Sequence, residues 1–242
     1  NEWGFSLHEF LQLCNEVGAE PWHIMPPMWS EQDVRGLMEY LAAPADGQHP
    51  YADRRAKLGQ SAPWTKVFKR IHIEFGNEMW GEASANDPFF GASALGGERL
   101  GKMANERFAM LRENQYFNQD KINLIIGGQF YYPGRQGEID ATGNNHREIA
   151  LAPYFGDDKN HANDEELFYP MFARPFEDVA TGRMKLSQEE LDKSGKKTGL
   201  AIYEINFHTT GGEAPIELTN DFVTGAGGAL ALPLYMLVYQ RD

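Results

Sequence analysis

The sequence predicts an α/β fold organised around a parallel sheet, and three observations carry that expectation. Helix-like and strand-like segments alternate along the 242 residues, the pattern of strands joined by helical crossovers. The strand-like runs are read as apolar throughout, as strands covered on both faces are. Aromatic residues gather where such runs end (Trp22, Trp80, Tyr131, Tyr132, Tyr154, Phe155 and Phe207), and in a parallel α/β barrel those positions lie on the face where active sites are built.

The elements follow in order. Ser6-Leu7-His8-Glu9 is a capping box, followed by Phe10, Leu13, Cys14 and Val17 at helical spacing, and Gly18 closes that helix. Residues 20–26 read as a short strand entering a Pro-rich loop. Ser30 caps a second helix with the apolar face Val34, Leu37, Met38 and Leu41. Residues 44–61 read as a polar loop leading to a strand at 71–76. Leu100, Met103, Ala104, Phe108 and Leu111 mark a third helix before a strand at 122–130. A Gly-rich connection over 134–145, too rich in glycine to be assigned to a helix, leads to a strand at 148–154. Residues 164–180 are helical but interrupted by Pro170 and Pro175. Ser187 opens a short helix, the next strand ends at Glu204, and 219–239 form one final apolar helix. No repeat or linker divides the chain, so a single domain over 1–242 is expected.

Composition narrows the function. With 22 basic and 35 acidic side chains the net charge is −13, which argues against nucleic acid or an anionic membrane surface as partner. No apolar run is long enough to span a bilayer. A single cysteine, Cys14, excludes an internal disulfide framework, and its helical position predicts a buried thiol. Seven histidines form no ligand pattern, so neither a catalytic metal nor another cofactor is expected.

The chemistry concentrates at two strand ends. Ile71-His72-Ile73-Glu74-Phe75-Gly76-Asn77-Glu78 presents an Asn-Glu pair, and Leu200-Ala201-Ile202-Tyr203-Glu204 presents a second glutamate 126 positions later. Cleaving an acetal requires a proton on the leaving oxygen and a nucleophile or activated water at the anomeric carbon. Two carboxyl groups supply both when their surroundings separate their proton affinities. Glu78 is the expected acid/base, and Glu204 the expected nucleophile, kept ionised by hydrogen bonds and converging with Glu78 on one cavity. Asn77 is placed to bond a hydroxyl beside the reacting carbon. The aromatic rings supply flat surfaces for sugar faces.

The segment Glu74-Phe75-Gly76-Asn77-Glu78-Met79-Trp80-Gly81 resembles the fourth-strand signature of clan A glycoside hydrolases, and Tyr203-Glu204-Ile205-Asn206 is similar to their seventh-strand nucleophile segment. The wording is closest to the α-L-arabinofuranosidase-like family 51, with support from residues 5–11, 18–22 and 54–59. The resemblance implies a (β/α)8 TIM barrel of which strands 3 to 7 are present here. It also implies a retaining mechanism, a carbohydrate substrate and a chain that is a fragment of the catalytic barrel. Substrate contacts fall on Asn77, Trp80, Tyr154, Trp22, His23, Tyr131 and His208. The chain departs from the pattern at Ala152-Pro153-Tyr154, where clan members often carry His-x-Tyr; the tyrosine is retained and the histidine is not.

Other polar residues have structural alternatives. Glu74 points into the barrel by strand alternation and reads as an internal hydrogen-bonding partner, as does Glu20. His23 reads equally as a substrate contact or a satisfied interior histidine, His208 as a rim contact or a loop anchor, and Gln129 and Asn206 as interior polar groups. Gly96-Gly97-Glu98-Arg99-Leu100-Gly101-Lys102 has phosphate-loop spacing, but Met103 stands where Ser or Thr is needed. A xylosidase, an endo-glycanase and a non-catalytic carbohydrate-binding barrel remain as alternatives.

Overall fold

Five strands, β1 (Trp22–Met25), β2 (Ile71–Phe75), β3 (Ile122–Gly127), β4 (Glu148–Leu151) and β5 (Gly199–Ile202), form one parallel sheet in chain order. Every crossover contains at least one helix and moves one place along the sheet, as short connections between parallel neighbours require. This is a computed structural model, and it describes residues 4–79, 96–156, 164–209 and 215–241. The chain folds into two compact units, Asn1–Gly128 with Glu138–Ile149 and Gln129–Gly137 with Ala150–Asp242.

In the first unit, register fixes what each strand presents. Trp22 pairs with His72 and Ile24 with Glu74; His72 pairs in turn with Asn123 and Glu74 with Ile125. Alternate residues occupy the opposite face, where Met25, Ile71, Ile73, Phe75, Leu124 and Ile126 are buried. That face packs on helices, with Phe75 edge-on to Phe108 at 6.3 Å. The expectation of uniformly apolar strands is therefore corrected. β2 alternates, and its inner face is polar because His72 is bonded there by Glu20 and Asn123.

Helix α1 (Leu7–Val17) buries His8, Leu11 and Cys14, whereas Leu13 and Val17, expected on the apolar face, are exposed. The register turns because His8 is anchored, one ring nitrogen 2.6 Å from the Tyr40 hydroxyl and the other 3.0 Å from the Leu58 carbonyl. Helix α2 (Glu31–Ala42) starts as expected at Ser30, whose hydroxyl accepts from the Asp33 amide.

The predicted loop at 44–61 contains helix α3 (Pro50–Lys57), opened by a proline in its first turn. Arg55 explains it. The side chain is fully buried and its guanidinium donates to the carbonyls of Tyr40, Ala43, Gln60 and Ser61. A short helix, α4 (Trp64–Val67), precedes β2, and α5 (Gly96–Arg112) follows it. The Gly-rich crossover after β3 is also helical, as α6 (Pro133–Thr142). Packing overrides composition there: a Cβ at Gly101 of α5 would lie 2.5 Å from the Ile139 carbonyl oxygen, so only glycine admits the close approach.

In the second unit, α7 (Asp164–Ala180) runs through both Pro170 and Pro175, and α8 (Arg183–Asp192) starts four residues before the predicted Ser187. Ser187 is instead buried, accepting a bond from the Gln136 amide. The single final helix is two, α9 (Ile216–Thr224) and α10 (Ala226–Arg241), bent by 55°. The break falls at Gly225, followed by Gly227 and Gly228, and a Cβ at Gly227 would strike the Phe168 ring at 2.1 Å. Phe155, Met171, Phe222, Ala231 and Tyr235 form the core, with Phe168 and Phe207 packed against it. Among the described residues, no single helix is long and apolar enough to cross a membrane.

Candidate active site

Three residues beyond Phe75, the chain has already turned twice. Gly76 has φ +66°, and Glu78 has φ +49°, the one positive value at a non-glycine position among the described residues. L-residues are rarely held there, at a cost of about 1–3 kcal/mol. Gly76 is required by space as well as by conformation, because a Cβ would come 2.4 Å from Met79 Cγ. Met79 is buried, while Asn77 and Glu78 are half-buried. The strand end thus stores strain at the residue expected to act as acid/base. Trp80 lies outside the described residues.

Beneath Glu78, on the inner face of β2, Glu74 is 1% exposed. The Trp22 indole N–H donates to its Oε2 at 2.8 Å; its Oε1 is buried without a hydrogen-bond partner among the described residues. Burial, opposed by the Trp22 bond and reinforced by the negative charge of Glu78, pushes the Glu74 carboxyl up to about 7. The sequence expectation of an internal bonding residue holds for one of its two oxygens.

Below that level runs a polar relay. The Trp22 ring stacks on His72 at 5.4 Å and 13°, and His72 Nε2 lies 3.2 Å from Glu20 Oε2. The Asn123 amide reaches both His72 Nδ1 at 3.0 Å and Glu148 Oε2 at 2.6 Å. Trp22 therefore opens β1 instead of following its end, and its indole nitrogen is committed to Glu74. His23 occupies the other face, paired with Ile73, its ring 6.0 Å from Trp29. Burial pushes His23 down to about 4, and among the described residues its Nε2 has no hydrogen-bond partner. It falls on the helix side because strand parity opposes it to Trp22.

In the second unit, Glu204 stands two residues past β5 and is exposed. The segments following β4 and β5 continue to pair. The Phe155 amide donates to the Asn206 carbonyl and the His208 amide to the Phe155 carbonyl, at 3.1 and 2.7 Å. This pairing brings two predicted site residues together, with the Tyr154 and His208 rings 5.6 Å apart and 26° from parallel. Phe155 and Phe207 turn inward and plug the core. Tyr131 lies under the Arg183 guanidinium at 4.4 Å. Arg183, the first residue of α8, carried no sequence signal.

No family model matches the chain. It is 33% identical over 90 residues to an intracellular exo-α-L-arabinofuranosidase of Bacteroides ovatus, a match covering 34% of this chain and 16% of that protein. Among solved structures, an α-L-arabinofuranosidase of Thermotoga maritima in complex with arabinose aligns with 97% of this chain and 45% of its own, with TM-score 0.66 and 20% identity. A GH51 arabinofuranosidase of Xanthomonas axonopodis pv. citri aligns with 98% of this chain and 46% of its own, at TM-score 0.63 and 15% identity. The chain thus spans less than half the length of its relatives. The likeness shows the fold, part of the (β/α)8 barrel found in these proteins.

Proposed function

We propose that this chain is the catalytic part of a retaining glycoside hydrolase that releases arabinofuranosyl units from oligo- or polysaccharide. Glu78 protonates the leaving oxygen while Glu204 attacks the anomeric carbon, giving a glycosyl-enzyme ester. Glu78 then takes a proton from water, whose oxygen displaces Glu204 and restores both carboxyl groups. A double displacement of this kind needs the two carboxyl groups about 5–5.5 Å apart. Asn77 holds the hydroxyl next to the reacting carbon, Trp80 and Tyr131 offer ring faces, and Tyr154 and His208 line the nucleophile's side as a stacked pair.

The observation that carries this reading is the turn at Glu78. A backbone outlier at a half-buried carboxylate, directly past a parallel strand, is where strain is retained for function. Support also comes from the second strand-end glutamate and from the barrel likeness, since barrel enzymes place catalytic groups at strand C-terminal ends. The test is an aryl-glycoside panel on the full-length protein, including an aryl α-L-arabinofuranoside, with the product anomer followed by NMR. Net retention is expected, with kcat reduced by about 10⁴-fold or more in Glu204→Gln. Undiminished turnover in that variant, or inversion, overturns the reading.

A further inference from the structure

We infer that Arg183 is a specificity-determining residue that recognises a carboxylate on the glycan, so that the preferred substrate carries a uronic acid beside the sugar released. The inference deepens the glycosidase reading and rests on it for the reaction; the binding it describes is a property of Arg183 and its platform.

The place of Arg183 is fixed from two sides. Beyond the end of β3, the Tyr131 ring lies under the guanidinium at 4.4 Å, and the buried Phe130 ring lies 5.7 Å from it. The two rings meet edge-on, 5.6 Å apart and 82° from parallel, and the flat cation rests against the corner they form. One turn further along α8, on the same face as Arg183, Ser187 accepts a bond from the Gln136 amide at 3.0 Å. The buried Gln136 side chain also accepts from the Gln129 N–H and donates to the Gln129 carbonyl. The segment that carries both rings is therefore tied to α8 by amide bonds at one point and by stacking at the next. Tyr131, Gln136, Arg183 and Ser187 all belong to the second unit, as does Glu204.

What this leaves unused is the edge of the guanidinium. Stacking engages its face and none of its N–H donors. Arg55 spends its donors on carbonyls, and Arg35 and Arg174 theirs on carboxylates. Arg183 is half-buried, yet among the described residues no oxygen accepts a hydrogen bond from it. A planar fork already held in one orientation matches the two oxygens of a carboxylate and loses little further freedom on binding one. It stands past the C-terminal end of β3, on the side of the sheet where barrel enzymes receive their substrates. With a net charge of −13, the chain as a whole repels an acidic glycan, so attraction has to be local.

The test compares two substrates on the full-length protein: an arabinofuranosyl oligosaccharide carrying one glucuronic acid, and its carboxyl-reduced counterpart. Wild type is expected to cleave the acidic form with kcat/KM about tenfold higher at low salt, as a charge-assisted bidentate contact allows. That advantage is expected to shrink as salt is raised. In Arg183→Gln the ratio is expected to fall to about one, and in Arg183→Lys, which keeps the charge without the fork, to lie between. Each protein is its own reference, so a general loss of activity leaves the ratio readable, and the lysine variant serves if the glutamine variant does not fold. Equal kcat/KM on both substrates in wild type, or an undiminished preference in the variants, overturns the inference and leaves the glycosidase reading standing. If wild type cleaves neither substrate, that reading falls, and calorimetric titration with the acidic oligosaccharide decides the role of Arg183. Weaker binding by Arg183→Gln than by wild type supports it, and equal binding overturns it.

Discussion

The two halves of the chain hold their strand-end glutamates in opposite ways. Glu78 is half-buried on a strained turn, above an interior carboxyl and a relay of bonded polar side chains. Glu204 is exposed, on a segment that follows a four-residue strand whose residues are all only half-buried. Where the first half spends its contacts on rigidity around the carboxylate, the second spends them on an aromatic core beside it, Phe155, Phe207 and Phe222. A proton donor benefits from desolvation and a neighbouring charge, whereas a nucleophilic carboxylate benefits from solvation. The difference fits the roles proposed for the two residues, Glu78 as acid and Glu204 as nucleophile.

The largest expected effect separates those roles. In Glu78→Ala, hydrolysis of substrates with poor leaving groups is expected to fall by about 10²–10⁴-fold, the usual worth of general acid catalysis. Activated aryl glycosides, which leave without a proton, are expected to lose far less in the first chemical step, and added azide to restore turnover. Equal losses on both substrate types would erase the distinction between the two halves.

Next comes the turn. Gly76→Ala is expected to destabilise the protein by about 1–3 kcal/mol, since it combines positive φ with a clash on Met79. Glu78→Gly is expected to do the reverse, gaining about 1 kcal/mol as the strain is released while activity is lost. Denaturant midpoints measure both. If Glu78→Gly is less stable than wild type, the turn is not a strained one.

A further effect is a pH dependence. The Glu74 carboxyl is raised from near 4.5 to about 7 on folding, so the folded state holds this proton more tightly than the unfolded one. Its contribution to stability is full below about pH 4.5, declines as pH rises toward 7 and is gone above it, by about 1.4 kcal/mol per pH unit within that window. Glu74→Gln is expected to flatten this slope in urea titrations repeated across the window. An unchanged slope would mean that water reaches the carboxyl.

Much of this was legible in the chain itself, for reasons that can be named. Alternating elements, the Ser30 cap and the apolar face of α2 are local, and so is the strand signal of β2 that precedes Asn77-Glu78. What escaped were features held by distant partners. Arg55 draws residues 50–57 into a helix by bonding carbonyls of α2 and of the loop that follows, and nothing in its neighbourhood announces that. Gly101 lets α6 approach closely, so a Gly-rich segment is helical. His8 sets the register of α1 against Tyr40 and Leu58, leaving Leu13 and Val17 exposed.

By itself, the sequence determined the α/β class and the placement of Asn77-Glu78 and Glu204 just past strand ends. Those follow from short-range periodicity and from the chemistry of the side chains. Only the tertiary structure decided that Trp22 bonds Glu74, that His23 faces the helices, and that Glu78 adopts a left-handed backbone. These depend on strand register and on burial, which arise when segments tens of residues apart are packed together and water is excluded from between them.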